Sequence, residues 1–280
     1  MFYYQLRNEL WKLFGKKRTY IGFGTFLLAE AVIILLLRYS HGPRRDMVRR
    51  LELMGYPADQ FMSNLTMGMA MMVPVAYLLM PLYVALVGGD LVAKEAEDGT
   101  LRMILSRPVS RLRIVTTKWL AGALFSVVLV VVLGVSGIAF ASIFFPPGSM
   151  FALLPMEGVF GVFDGGEGTV RYASAMALLT VKAVTVMGMG WMFSCFNMKP
   201  AAATILALSV FMVSRLIQEI PYFHDLQAWF ITYHLNFWMR VFMQPIPWPD
   251  ICESLSILFG FNLTFFIIGS FAFQVRDIKS

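Results

Sequence analysis

The chain has 280 residues, of which 58% are apolar and 14% charged, with a net charge of +6 and a mean hydropathy of +0.69. Soluble domains run roughly 45–50% apolar and about 25% charged, so the apolar surplus has to be hidden in lipid. The composition excludes a disordered chain, two Cys exclude a disulfide scaffold, and a basic excess in such a chain fits membrane loops better than nucleic acid.

Residues 2–14 (FYYQLRNELWKLF) set Tyr3, Leu6, Leu10 and Leu13 at helical spacing, and Lys16, Lys17 and Arg18 follow at once. The pattern predicts a cytoplasmic amphipathic helix within residues 1–18, lying along the inner leaflet. It is either an anchor that sets topology or a lever on the first span. A membrane-spanning helix needs about 20 mostly apolar residues. Six runs qualify: Tyr20–Arg38, Met67–Gly88, Ile114–Phe144, Ala173–Phe196, Ala201–Ile220 and Leu255–Val275. The first is too long for a signal-peptide core and no A-x-A-like site follows it, so it is expected to be a retained span.

An even number of spans puts both termini on one side. The basic loop Arg38–Arg50 balances the charge before the first span, but over the whole chain Lys and Arg favour cytoplasmic termini by roughly two to one. Cys195 and Cys252 then fall on opposite sides of the membrane, too far apart for a disulfide. Pro74 and Pro81 should kink the second span. Its run Met67, Met69, Met71, Met72 fits packing better than a soft-metal site, because no Cys or His joins it.

The loop 89–113 between the second and third spans carries the most information. Leu91–Asp98 suits a short acidic helix, Gly99 can end it in the left-handed conformation, and Thr100 can cap a second short helix. There Leu101, Ile104 and Leu105 share a face, and Pro108 stops the helix. A solvated loop has no need of that apolar face, whereas a docking surface has.

The run EAEDGTLRMILSRPVSRLRIVTTKWL resembles the signature of ABC-2-type permeases, the membrane subunits of ATP-binding-cassette exporters. Glu95, Glu97, Gly99, Thr100, Leu101, Leu105, Ser106, Pro108, Val109, Ser110, Arg111 and Lys118 match its pattern, while Arg102 stands where an acidic residue is usual. The resemblance implies an all-α membrane protein with 1–280 as a single permease domain. It implies that the elbow is a coupling helix, with Glu95, Glu97, Gly99, Thr100, Leu101, Arg102, Leu105, Pro108 and Arg111 as its ATPase-coupling residues. It further implies two copies of a separate ATPase holding ATP and Mg, a second permease subunit, and export of a lipid-like, amphipathic or drug-like substrate. The setting is then a bacterial or archaeal cytoplasmic membrane. In that family the segment between spans five and six folds back into the outer leaflet.

The residues support this last point on their own. Segment 221–252 is long for a connection and rich in aromatics, among them Tyr222, Trp229, Phe237, Trp238 and Trp248. Aromatics concentrate at membrane interfaces, so a half-buried re-entrant segment is expected. Glu30, Lys182 and Arg215 fall inside spans, where ionisable groups are costly. Arg215 has Glu219 one turn on. Glu30 and Lys182 have no such neighbour and sit at similar depth, so they either lock spans one and four together or belong to a transport path. His41, His224 and His234 are too scattered for a metal site. The chain has no G-x-x-x-x-G-K-[ST], H-E-x-x-H or G-x-S-x-G, so it has no P-loop ATPase of its own. The alternative function is an ion-coupled secondary transporter or channel built on Glu30 and Lys182. A membrane-embedded enzyme ranks third, for want of a polar catalytic cluster.

Overall fold

The computed structural model describes residues 2–53, 55–106, 109–154, 158–218 and 220–276. Among them, six helices are long and apolar enough to cross a membrane: Lys17–Tyr39, Asn64–Glu97, Arg111–Phe144, Gly165–Cys195, Pro200–Gln218 and Trp248–Val275. The chain is a multi-pass integral membrane protein. Before the first span comes α1 (Phe2–Phe14), and the first span itself is α2 (Lys17–Tyr39). Two short helices follow, α3 (His41–Leu53) and α4 (Ala58–Phe61). The second span is α5 (Asn64–Pro74) and α6 (Met80–Glu97), joined by a π turn, Val75–Leu79. Then come α7 (Thr100–Leu105), α8 (Arg111–Phe144), strands β1 (Met150–Leu154) and β2 (Val159–Phe163), α9 (Gly165–Cys195), α10 (Pro200–Gln218), α11 (Ile231–His234) and α12 (Trp248–Val275).

Most spanning helices outrun their apolar stretches, because a helix continues past its last apolar residue wherever caps and charges are satisfied. The fourth begins at Gly165, not Ala173, since Asp164 Oδ1 accepts from the Glu167 amide (2.7 Å) and caps the first turn. Ser110 caps α8 in the same way through the Arg113 amide (3.4 Å). At 34 residues, α8 is about 51 Å long, against roughly 30 Å of hydrocarbon, so it reaches beyond the bilayer. In the second span the π turn follows directly on Pro74. It takes up the distortion that a missing amide donor imposes. The four methionines before it are all buried in packing contacts.

The core forms around α9, which packs most extensively on α6 and then on α12, α8 and α10. Glycines set the α6–α9 crossing. A Cβ at Gly88 would lie 2.2 Å from the Met187 carbonyl oxygen, and one at Gly190 would lie 2.7 Å from that of Ala85. The two backbones touch, as expected where lipid removes the hydrophobic drive between helices and close packing must replace it. Helices α2, α10 and α12 are peripheral and keep most of their apolar surface outward.

At the end of the bundle beyond α2 the structure departs from an all-α plan. β1 and β2 form an antiparallel hairpin in the register Met150↔Phe163 to Leu154↔Val159, and Gly158 leaves the turn at φ +65°. The basic loop Arg38–Arg50 is also not a loop. It is helical over most of its length as α3, held down by Leu51, which is fully buried beside Phe61 and Phe151. Segment 221–242 is a chain of short helices: a 3-10 helix Pro221–Trp229, then α11, then a 3-10 helix Phe237–Phe242. The first exposes Tyr222 and Trp229, whereas the last buries Phe237, Trp238 and Phe242 against α9. Arg171 of α9 ties the region together. Its guanidinium covers the Phe163 ring (4.1 Å), pairs with Glu167 (2.7 Å) and donates to the carbonyls of Val241 and Met243 (3.0 Å to the latter).

Candidate functional site

At the opposite end, α1 lies against α8 and α2. Its packed stripe is Leu6, Leu10, Leu13 and Phe14, while Tyr3, Tyr4 and Trp11 face outward. The polar edge of the helix brings Glu9 and Lys12 to the root of the elbow, where a closed ring of four charges forms. Lys12 Nζ lies 2.7 Å from Glu9 Oε1 and 3.0 Å from Glu95 Oε1. Lys118 Nζ lies 2.9 Å from Glu9 Oε2 and 2.6 Å from Glu95 Oε2, the latter an ion-pair contact without hydrogen-bond alignment. Each lysine therefore bridges both glutamates, and three helices are joined: α1, α6 and α8.

Lys118 is only 1% exposed, and an unpaired ammonium there would be strongly disfavoured. Burial pushes the Glu9 carboxyl up, but Lys118 and Lys12 override it and hold Glu9 below the ordinary glutamate range. Burial pushes Lys12 down, and Glu9 and Glu95 override that and raise it. A second ion pair, Arg18 with Asp90, fastens the start of α2 to α6 beside the ring.

Beyond the ring the chain turns through the elbow. Glu95 belongs to α6 itself: the expected separate helix Leu91–Asp98 is the end of the second span, kept helical by the charges paired along it. Gly99 ends α6 at φ +73°. Thr100 is the first residue of α7, and its hydroxyl reaches back across the turn. It donates to the Glu95 carbonyl (3.2 Å) and so serves the C-terminus of the preceding helix. Of the three residues expected to form an apolar face on α7, Leu101 and Ile104 turn inward. Leu101 is buried, and Ile104 packs on the core beside a cavity of about 350 Å³ that Gln5, Asn8, Val109 and Thr117 help to line. What faces outward is Glu97, Asp98, Met103 and Ser106, with Lys94 bridging Glu97 (2.7 Å) and Asp98 (3.2 Å). Arg111 turns away from the tip. Its Nη1 donates to the carbonyls of Gln274 (2.9 Å), Arg276 (3.0 Å) and Phe273 (3.4 Å), capping the end of α12. Pro108 and the side chains of Arg102 and Leu105 lie outside the described residues.

The intramembrane charges fall into two groups. Glu30 and Lys182 do not meet. Glu30 accepts from the Ser136 hydroxyl (2.5 Å), near Gly137 and Tyr172. Lys182 donates to Asn236 Oδ1 (3.4 Å) and sits 4.9 Å from the Tyr77 ring. Arg215 covers the same ring at 5.6 Å. Lys182 and Arg215, from spans four and five, thus converge on the π turn of span two, where Tyr77 resides. Glu219, the expected partner of Arg215, and the side chains of His41 and His224 lie outside the described residues. His234 is buried, with Nδ1 at Ser254 Oγ (3.2 Å) and Nε2 at the Ala228 carbonyl (2.9 Å).

Glu9 and Lys12 escape a motif-based reading. The available signal is chemical: Lys118 stands within an apolar run without an acid one turn away, and so requires one from another helix.

These features define a six-span membrane protein whose second and third spans carry a short charged elbow on an ion-paired root. The family described as ABC-2 family transporter protein matches the chain over residues 17–227. The chain belongs to that family. It is a membrane permease, a transport component and not a catalytic subunit. No curated protein matches the chain. Among the described residues, no group of three or more His, Cys, Asp or Glu is placed to hold a metal ion.

Proposed function

We propose that the protein is the membrane subunit of an ATP-driven exporter. Two such subunits flank the path, and two copies of a separate ATPase, holding ATP and Mg, dock beneath them. The substrate is lipid-like, amphipathic or drug-like. The elbow end is cytoplasmic, with both termini on that side. One observation carries this reading: the outward acidic tip Glu97–Asp98 stands on a root that four charges lock to α1 and α8.

Closure of the ATPases would press on the tip. Because the ring joins α1, α6 and α8, the load would reach spans two and three together, with α1 serving as both anchor and lever. The π turn at Val75–Leu79 gives span two a place to yield. The convergence of Lys182 with Asn236 lends support to re-entry of the segment before α12. Thirteen residues separate Lys182 from Cys195 at the helix end, so the contact lies about 20 Å up α9. Separation of Glu30 from Lys182 weakens the ion-coupled alternative, which needs them to act jointly.

The test is Glu97→Lys. It reverses the tip charge without touching the ring. The expected result is a chain that inserts normally but loses ATP-dependent transport. Unchanged transport by this variant rules out the coupling role of the tip.

A further inference from the structure

Two of the concavities lined by described residues lie away from the elbow, and their chemistry differs. One, of about 770 Å³ between α8, α9 and α12, presents an almost wholly apolar surface, built from side chains such as Leu120, Val184, Phe259 and Leu263. Such a surface selects for no particular head group. The other, of about 610 Å³, lies at the hairpin end between α10, the 221–242 segment and the start of α12. Its polar lining is Arg215, Arg240, Gln218, Gln227, Asn236 and Asp250, with Tyr233 beside them. Val159, Met239 and Met243 supply apolar wall.

Arg240 is the informative residue. Its guanidinium stacks on the Tyr233 ring (5.1 Å). It donates through Nη1 to the Asp250 carbonyl (3.2 Å) and the Ser254 hydroxyl (3.4 Å). That fixes the planar fork while leaving Nε and Nη2 with no protein acceptor among the described residues. A stacked, oriented guanidinium with open donors is matched to an oxyanion, which accepts two parallel hydrogen bonds. The Gln218 and Gln227 carboxamides lie on the same wall. Asp250 is the one carboxylate among the described lining residues. It opposes an anion, and its backbone carbonyl, not its carboxylate, is what Arg240 binds. Next to the cavity the 221–229 helix exposes Tyr222, Leu226 and Trp229, the amphipathic surface expected at a membrane interface.

We infer that this cavity is a binding site for the oxyanion head group, phosphate or carboxylate, of an amphipathic molecule, with Arg240 as its principal contact. The apolar walls and the exposed aromatic rim take the first part of its chain. The site narrows the substrate class proposed above. Its use in transport rests on that proposal, but binding itself does not, so it is measured on the purified chain without ATPase or ATP.

The probes are dihexanoylphosphatidic acid, dihexanoylphosphatidylcholine and inorganic phosphate, titrated against the chain in maltoside micelles by calorimetry. The phosphatidic acid should bind at least tenfold more tightly than either of the others. Arg240→Gln should weaken it tenfold or more, and Asp250→Asn should tighten it. If Arg240→Gln loosens the fold through its lost hold on α12, Asp250→Asn still decides. Weaker binding by that variant points to a zwitterionic head and overturns the inference, as does equal binding of all three probes. Inorganic phosphate binding as tightly as the lipid overturns the amphipathic part. A failed ATPase association with intact lipid binding would refute the transport reading and leave this site standing.

Discussion

At Lys118, burial and charge leave little freedom: an ammonium at 1% exposure is tolerable only between Glu9 and Glu95. Replacing it with Met leaves two half-buried carboxylates sharing Lys12 alone. Removing one partner of such a buried network costs about 3–5 kcal/mol. Lys118→Met should therefore lower the thermal midpoint in detergent markedly, and adding Glu95→Gln to it should recover part of the loss. Strictly additive effects of the two changes would show that the residues do not act as a unit. Arg111 makes a different kind of contribution, three donations to the last carbonyls of α12. Charge-assisted bonds of this kind contribute roughly 1.5–3 kcal/mol each at most, and a partly exposed cap contributes less. Arg111→Ala should speed hydrogen exchange in the last turn of α12 and leave the core of the bundle unchanged.

The elements differ in how far sequence pattern reaches them. Spanning helices are legible because lipid imposes one simple requirement, a long apolar run. Their ends are not, since Asp164, Ser110 and the paired charges of α6 extend the helices through polar residues that a hydropathy reading discards. The hairpin escapes for a related reason. Met150–Leu154 and Val159–Phe163 are short apolar runs around Gly158, without the strict alternation that distinguishes a strand. At the elbow, the Gly99 turn is legible from the residue type alone, whereas the direction of the Leu101–Ile104 face is not, because it depends on where α1 lies.

Docking of α1 should depend on pH. Glu9 is held below its ordinary range, so its contribution is fully present above the ordinary glutamate pKa and is lost as pH falls through the depressed value. Lys12 is raised, so its contribution is fully present below the ordinary lysine pKa and is lost as pH rises through the elevated one. Helix α1 should stay docked across the neutral range and loosen at both extremes. A spin label at position 4 (Tyr4→Cys, in a Cys252→Ser background) should become mobile in acid, and Glu9→Gln should remove that acid step. A label equally mobile at neutral and acid pH would contradict the ring.

For the whole molecule, α9 and its glycine crossing with α6 hold the bundle together, and the charged elbow and the Arg240 cavity lie at its opposite ends. A Val at Gly190 would drive its side chain into the Ala85 carbonyl and should prevent the spans from assembling, which protease protection of the membrane-inserted chain would reveal. The six-span plan and the family were legible from composition and from the Glu95–Lys118 run. The convergence of Lys182 and Arg215 on Tyr77 was not, because it joins three spans whose order of packing no local pattern records. Nor does any local pattern record that Glu30 and Lys182 belong to separate polar clusters.

Coupling to a separate ATPase is tested most directly by purifying the tagged chain from its native membrane in mild detergent and analysing by mass spectrometry what accompanies it. A Walker-motif ATPase in about equal amount is expected with wild type, and little or none with Glu97→Lys. A chain that emerges intact, dimeric and without any such partner would contradict that coupling.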